Sequence, residues 1–273
     1  MRWINRNPGR ALAIFLAALP FVIVLIAYSI GSEIRLAENP RDKLLPAPAS
    51  IVEKAAELVT EPSPRKGFIL FWDDTAISLA RLAQGVGLAA AIGLAFGLMI
   101  GLFPAARAGL SPFVSALSLI PPLALLPILF IALGLGEASK IALIAIGVTP
   151  FIIRDLAART LEIPTEQLIK AQTLGASSWR ILLRVALPQM MPRLIQSVRL
   201  SLGPAWLFLI ASEAVSAEAG LGYRIFLVRR FLAMDVILVY VFWITLLALV
   251  IDLALREISR RGYPWAHLQG QSL

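Results

Sequence analysis

The sequence predicts an all-α polytopic membrane protein with six transmembrane helices. Three observations carry that prediction. Of the 273 residues, 59% are hydrophobic and only 15% are charged, where a soluble domain carries about a quarter charged residues. Mean hydropathy is +0.81. The apolar residues are gathered in blocks long enough to cross a bilayer. The chain has no cysteine, which excludes disulfides and thiolate metal centres. Its formal charge of +8 suits loops beside anionic lipid and does not call for nucleic acid, which is not expected as a partner.

A helix needs about 20 apolar residues to cross the hydrocarbon core. "ALAIFLAALPFVIVLIAYSIG", Ala11–Gly31, is the first such run. It follows Arg2, Arg6 and Arg10, with no acid before it. The start resembles a signal peptide, but the run is too long and no small-x-small cleavage site follows. A retained helix with a cytoplasmic N-terminus is expected. Residues 1–74 therefore read as a cytoplasmic stub, a first span and a periplasmic segment. Five further spans follow: Leu79–Phe103, Pro112–Leu133, Lys140–Leu161, Val198–Ser216 and Val236–Leu255. They make a core domain over 75–258, followed by a cytoplasmic tail over 259–273. An even number of spans puts both termini on the cytoplasmic side. The segment Arg159–Arg199 agrees with that orientation, with six bases against two acids, Glu162 and Glu166. Arg224, Arg229 and Arg230 run against it on the outer side. They form either a positive mouth for anions or a solvated, lipid-facing set.

Two features concern packing and a path. Gly93, Gly97 and Gly101 recur four apart on one face of the second span. Small residues let another helix approach closely, either inside the chain or at a subunit interface. In the third span, "LIPPLALLPILF" holds Pro121, Pro122 and Pro127. Each proline removes a backbone donor, and the freed carbonyls need partners from neighbouring helices or water. The result is either a broken helix lining a translocation path or a static kink. Glu213, in "LIASEAVSAEAGLGY", lies near the outer end of the fifth span. An acid there faces the bundle interior, bracing a gate with the Ser216–Gly222 turn, or belongs to a wet interfacial turn.

Catalytic patterns are missing. There is no G-x-x-x-x-G-K-[ST] loop, and "GLGEASK" (Gly134–Lys140) has the wrong spacing for one. There is no H-E-x-x-H and no G-x-S-x-G. The single histidine, His267, falls in the polar tail. No catalytic residue, metal site or bound cofactor is expected. If ATP drives this protein, the ATPase and its Mg belong to another chain.

The loop over about 159–197 is the most informative stretch. In "AQTLGASSWRILLRVALP" (Ala171–Pro188) the apolar residues recur at helical spacing around two arginines, Arg180 and Arg184. Thr165 is placed to cap a short helix, "EQLIKAQTL", which Gly175 ends by taking a positive φ. Ser177 or Ser178 caps the next helix, and Pro188 and Pro192 interrupt the chain before the fifth span. An interfacial helix anchored on lipid is one reading. A DNA-binding helix-turn-helix is disfavoured by spans only a few residues away.

Gly175, nine intervening residues, then "VALP" (Val185–Pro188) resembles the signature loop of ABC-importer permeases, E-A-A-x-x-x-G-x9-I-x-L-P. Ile169, Lys170 and Ala171 fill the E-A-A positions, and only the alanine agrees. Glu166, one turn away, is not the equivalent of the missing glutamate. "LLPAPASIVEKAAEL", "SLARLAQGVGLAAAIGLAFGLMIGL", "IPPLALLPILFIALGLGEASKI", "EAGLGYRI" and "RRGYPW" are similar to the nitrate/sulfonate/taurine-type branch, and the resemblance covers nearly the whole chain.

That resemblance implies a type I importer (MetI-like) permease fold in the bacterial inner membrane. It implies a second permease copy, a cytoplasmic ABC ATPase and a periplasmic solute-binding protein. The loop would be a coupling helix docked on the ATPase. The contact is expected over Thr165–Ser178, with Leu168, Ala171, Leu174 and Ala176 giving apolar area and Lys170 and Arg180 rim charge. Gly175, Leu187 and Pro188 belong to the signature itself. Pro121, Pro122, Pro127, Glu213 and Ser216 are the path or gate candidates. The substrate class implied is a small oxyanion or sulfonate. The alternative is a stand-alone channel or secondary transporter; an intramembrane enzyme lacks any visible nucleophile–base set.

Overall fold

The computed structural model describes residues 9–40, 42–63 and 67–270; Arg2 and Arg6 lie outside them. The described residues are helices and turns, with no strand among them. In order they are α1 (Arg10–Glu38), α2 (Pro48–Thr60), α3 (Leu70–Leu102), α4 (Pro104–Leu117), a 3-10 turn (Pro122–Leu125), α5 (Leu126–Leu133), α6 (Glu137–Leu161), α7 (Thr165–Thr173), α8 (Ser178–Ile181), a π turn (Leu182–Ala186), α9 (Leu187–Ser216), α10 (Leu221–Arg229) and α11 (Met234–Gly262). A 3-10 segment, Pro264–Gly270, follows. Among the described residues five helices are long and apolar enough to cross a membrane, and α4 with the Pro122–Leu133 segment makes a sixth, bent by 81°.

The chain divides into two compact units, Met1–Ile69 with Leu227–Val241, and Leu70–Phe226 with Phe242–Leu273. In the first, α1 runs past the expected Gly31 to Glu38 and buries only Ser32. The following loop folds back on its end. Tyr28 donates to the Pro46 carbonyl at 2.8 Å and Ser32 to that of Leu45 at 3.0 Å. Asp42 accepts from the Leu44 N–H at 2.9 Å and from Arg35 Nε at 2.5 Å. The Leu44 N–H, ahead of Arg35, holds the Asp42 carboxyl below its ordinary range.

The second unit is built on α3, α6 and α9. The glycines of α3 settle what their face meets. A Cβ on Gly85 would lie 2.7 Å from Ile144 Cβ, on Gly93 2.4 Å from Ile152 Cγ2, and on Gly97 2.7 Å from Leu156 Cβ. On Gly101 it would lie 2.3 Å from Thr160 Cβ. The stripe is therefore internal packing against α6, where close backbone approach replaces the hydrophobic drive that lipid does not supply. Gly147 of α6 does the same for Phe208 of α9, at 2.4 Å. Ile144, Ile152, Leu156 and Leu209 are fully buried between these helices.

Two expectations about the spans are corrected. The third does not begin at Pro112; α4 starts at Pro104 and carries Pro112 inside it. It stops where Ser118 donates back to Val114 at 2.9 Å and Pro121–Pro122 prevents continuation. Pro122 opens the 3-10 turn and Pro127 lies in the first turn of α5. At those starts a missing N–H costs nothing, so Pro122 and Pro127 begin elements rather than kink one. In the fifth span, Pro188 and Pro192 do not interrupt the chain. Helix runs unbroken from Ser178 to Ser216. The π turn lies just before Pro188, where the Leu187 N–H reaches back to the Leu182 carbonyl. This widened turn accommodates a residue that cannot donate.

Candidate functional site

Two sites in the second unit lie at opposite ends of the continuous Ser178–Ser216 helix. The first is the α7–Gly175–α8 segment. Pro164, not Thr165, holds the N-cap position of α7, and Thr165 is its first helical residue. Pro164 has no hydroxyl, so no side-chain cap forms there. At the other end Gly175 has φ +78. Its N–H donates to Gln172 at 2.9 Å and the Ala176 N–H to Ala171 at 3.0 Å, which closes α7 through a left-handed residue. Ser177 is the next cap, its Oγ accepting the Arg180 N–H at 3.3 Å, and Ser178 begins α8.

Leu168 was expected on the outer surface. Instead it packs, with Leu187, against a cluster of Leu98, Ile163, Ala186 and Met190. Apolar burial against neighbouring helices outweighs exposure for a leucine on the inward face of a short helix. The outward apolar area comes from Ile169 (52% exposed), Leu174 (87%) and Trp179 (65%). Lys170, Gly175, Arg180 and Pro188 are exposed around them, and Ala171 and Ala176 are half-buried. Ile169 and Trp179 are additions to the expected set. Ile169 stands at a signature position, where it reads as a mismatch rather than as a surface anchor.

The second site surrounds Glu213, which is fully buried. It accepts from Ser78 Oγ at 2.7 Å, from Arg81 Nη1 at 2.8 Å and from the Gly222 N–H at 2.8 Å. Nη1 of Arg81 also donates to the Ala219 carbonyl at 2.8 Å. The other edge of Arg81 grips Glu137 through Nε and Nη2, at 2.5 and 2.6 Å. Lys140, also buried, reaches the Leu135 and Gly136 carbonyls at 3.2 Å and Glu137 at 3.4 Å. Asp74 accepts the Gly220 N–H and Arg224 Nε, each at 2.8 Å. Gly220 has φ +124, and a Cβ there would lie 2.5 Å from Glu213 Oε1. Only glycine fits this turn.

Glu213 thus faces the interior, pairs with a base and caps the turn at Gly222. Ser216 donates to the Ser212 carbonyl at 3.3 Å and lines an adjacent cavity of about 690 Å³ with Arg81, Gln84, Glu137, Lys140 and Glu218. Arg224 is not part of an open positive mouth, because it is tied to Asp74. A second cavity, about 500 Å³, lies at the α4–α5 break between Ser118, Pro122, Pro150, Arg154 and Asp155. Pro121 and Pro127 do not line it. Sequence reasoning left Asp74, Ser78, Arg81, Glu137 and Lys140 unassigned. The available signal was Arg81, an arginine inside an apolar run, which needs an internal partner.

The pattern of the binding-protein-dependent transport system inner membrane component family matches residues 90–261. The chain is 34% identical to the taurine transport system permease protein of Escherichia coli strain K12, over 81% of this chain and 80% of that one. It is 34% identical to the bicarbonate transport system permease protein of Synechococcus elongatus, over 66% and 67%. It is 28% identical to the putative aliphatic sulfonates transport permease protein of Bacillus subtilis, over 96% and 92%. Among solved structures, a chain of the MetNI methionine ABC transporter in an inward-facing conformation matches with a TM-score of 0.64 and 24% identity, covering 70% of this chain and 95% of that one. The fold is that of a type I ABC importer permease. By its sequence pattern and its relatives, the chain belongs to the family of binding-protein-dependent transport system inner membrane components, the permease subunits of ABC importers.

Proposed function

We propose that this chain forms the membrane path of an ATP-driven importer for a small oxyanion or sulfonate, and couples it to a separate ATPase through α7, Gly175 and α8. The observation that carries the coupling is the outward set Ile169, Leu174 and Trp179. Large apolar groups on a short, polar, capped segment fit a protein groove, with Lys170 and Arg180 at the rim. Helix continues from Ser178 to Ser216 with no loop between them, so motion at α8 is passed to the Glu213 end through hydrogen-bonded backbone. In this reading two copies of the chain surround the path, both termini are cytoplasmic in an inner membrane, and a periplasmic binding protein delivers the solute. ATP and Mg act on the partner chain.

The substrate class rests on the relatives. Taurine, bicarbonate and aliphatic sulfonates all present a small acidic oxygen group. The test is uptake in proteoliposomes containing the permease, its ATPase and its binding protein. Anion uptake should require ATP and all three components. Uptake by this chain alone, down a gradient, would instead make it a channel or secondary transporter.

A further inference from the structure

Arg81 and Lys140 form a buried cationic pair whose shared carboxylate is not itself buried. Their side chains are 6% and 4% exposed, whereas Glu137, which bonds both, is 58% exposed. Glu137 is the first residue of α6, so its side chain stands at the rim of the bundle. Arg81 is divided between two tasks. Nη1 is committed inward, to Glu213 and the Ala219 carbonyl. The Nε–Nη2 edge faces outward and holds Glu137 as a bidentate fork. Beyond lies the cavity of about 690 Å³, to which Gln84 and Ser216 add polar groups.

Six charged groups gather around this turn: Arg81 and Lys140 are joined to Glu137 and Glu213, and Arg224 forms a separate pair with Asp74, which also accepts from Gly220. Three positive and three negative charges cancel. If Glu137 alone turns out into solvent, the remaining five carry a net charge of +1. A buried excess charge is strongly disfavoured unless another anion replaces the one that left.

We propose that Glu137 is an exchangeable carboxylate. A small oxyanion entering the cavity takes its place on the Arg81 fork beside Lys140, and Glu137 swings into solvent. The planar guanidinium edge matches the paired oxygens of a sulfonate, nitrate or bicarbonate as it matches those of glutamate. Glu213 stays in place and keeps Arg81 aimed. A neutral solute of the same shape cannot make the exchange, because it leaves the excess charge behind. Exposed Glu218 at the rim opposes anions only weakly, since solvent screens it. This site rests on the importer reading above and supplies its anion selectivity.

The chain has no natural cysteine, so Gln84→Cys gives one reporter thiol per permease chain, in the cavity. The assembled transporter is placed in phosphatidylcholine nanodiscs, and modification by an uncharged thiol reagent is timed. Methanesulfonate should slow modification saturably, and dimethyl sulfone, its neutral counterpart in shape, should not. Glu137→Gln removes the competing charge and should lower the half-protecting concentration by about tenfold, while Lys140→Gln should raise it by a similar factor. An unchanged half-protecting concentration in Glu137→Gln overturns the exchange, as does equal protection by dimethyl sulfone. Protection by added phosphatidylglycerol with no further effect of methanesulfonate assigns the cavity to a lipid headgroup and also overturns it. ATP-dependent uptake is measured on the same preparation. Uptake without protection rejects this site and leaves the importer reading standing.

Discussion

Glu213 satisfies three donors from two parts of the chain: Ser78 and Arg81 of α3 at Oε1, and the Gly222 N–H at Oε2. Glu213→Ala strips all three and leaves the buried Arg81 guanidinium without its inner counter-charge, a loss of about 3–5 kcal/mol. Glu213→Gln keeps the volume and one acceptor oxygen, but its NH2 group must then face a donor on one side. The alanine variant should therefore lower the melting temperature more than the glutamine variant. In the reconstituted complex both should reduce transport and raise basal ATPase, because the resting state loses a brace. Variants that match wild type in transport and basal ATPase would make Glu213 a structural residue only. The acid itself is legible in the sequence, as an ionisable residue closing an apolar run. Its partners are not. Ser78 and Arg81 stand 135 and 132 positions away, and no local spacing couples residues on different helices.

At the scale of the elements, the break between α4 and α5 is the irregular feature of the bundle. Its helices meet at 81° around Ser118–Pro121, and Arg154 Nη1 donates to Ser118 Oγ at 3.0 Å beside the 500 Å³ cavity. Pro122 and Pro127 occupy first-turn positions, so Pro122→Ala and Pro127→Ala should change stability by less than about 1 kcal/mol. Transport should fall more than assembly if the break shapes the path. Cysteine scanning from Leu119 to Phe130 should then find water access on one face and protection on the other. Uniform protection, both resting and with nucleotide, would make the break a static joint. Three prolines in twelve residues announced this break, but not where its arms begin. Proline rules also misplace the start of the fifth span, since the π turn before Pro188 lets helix run through the prolines instead of breaking at them. The long spans α3, α6 and α11 are readable because each is a mainly apolar helix longer than the about 20 residues that a bilayer needs.

For the whole molecule, the two sites matter through the helix that joins them. Ser178–Ser216 has 39 residues, which at about 1.5 Å per residue is close to 60 Å of rod. One end carries α8 and Trp179, the other Glu213 and its turn. Gly175 sets the angle at which α7 meets that rod. Its φ is +78, and an added Cβ would meet nothing within 4 Å, so sterics against neighbours play no part. Only backbone strain distinguishes one substitution from another. Gly175→Val places a β-branched residue in the left-handed region, at a cost of about 1–2 kcal/mol, and should re-aim α7 against the rod. Asparagine adopts that region far more readily, so Gly175→Asn should retain it. Both variants should insert at normal abundance, since the glycine contributes no packing. Substrate-stimulated ATPase and uptake should fall in Gly175→Val and remain close to wild type in Gly175→Asn. A simple docking surface, indifferent to the angle between α7 and α8, would be weakened equally by both, because both add a side chain at the same exposed point. The ratio of the two variants' coupled ATPase activities therefore separates a lever from a patch, and a ratio near one rejects the lever.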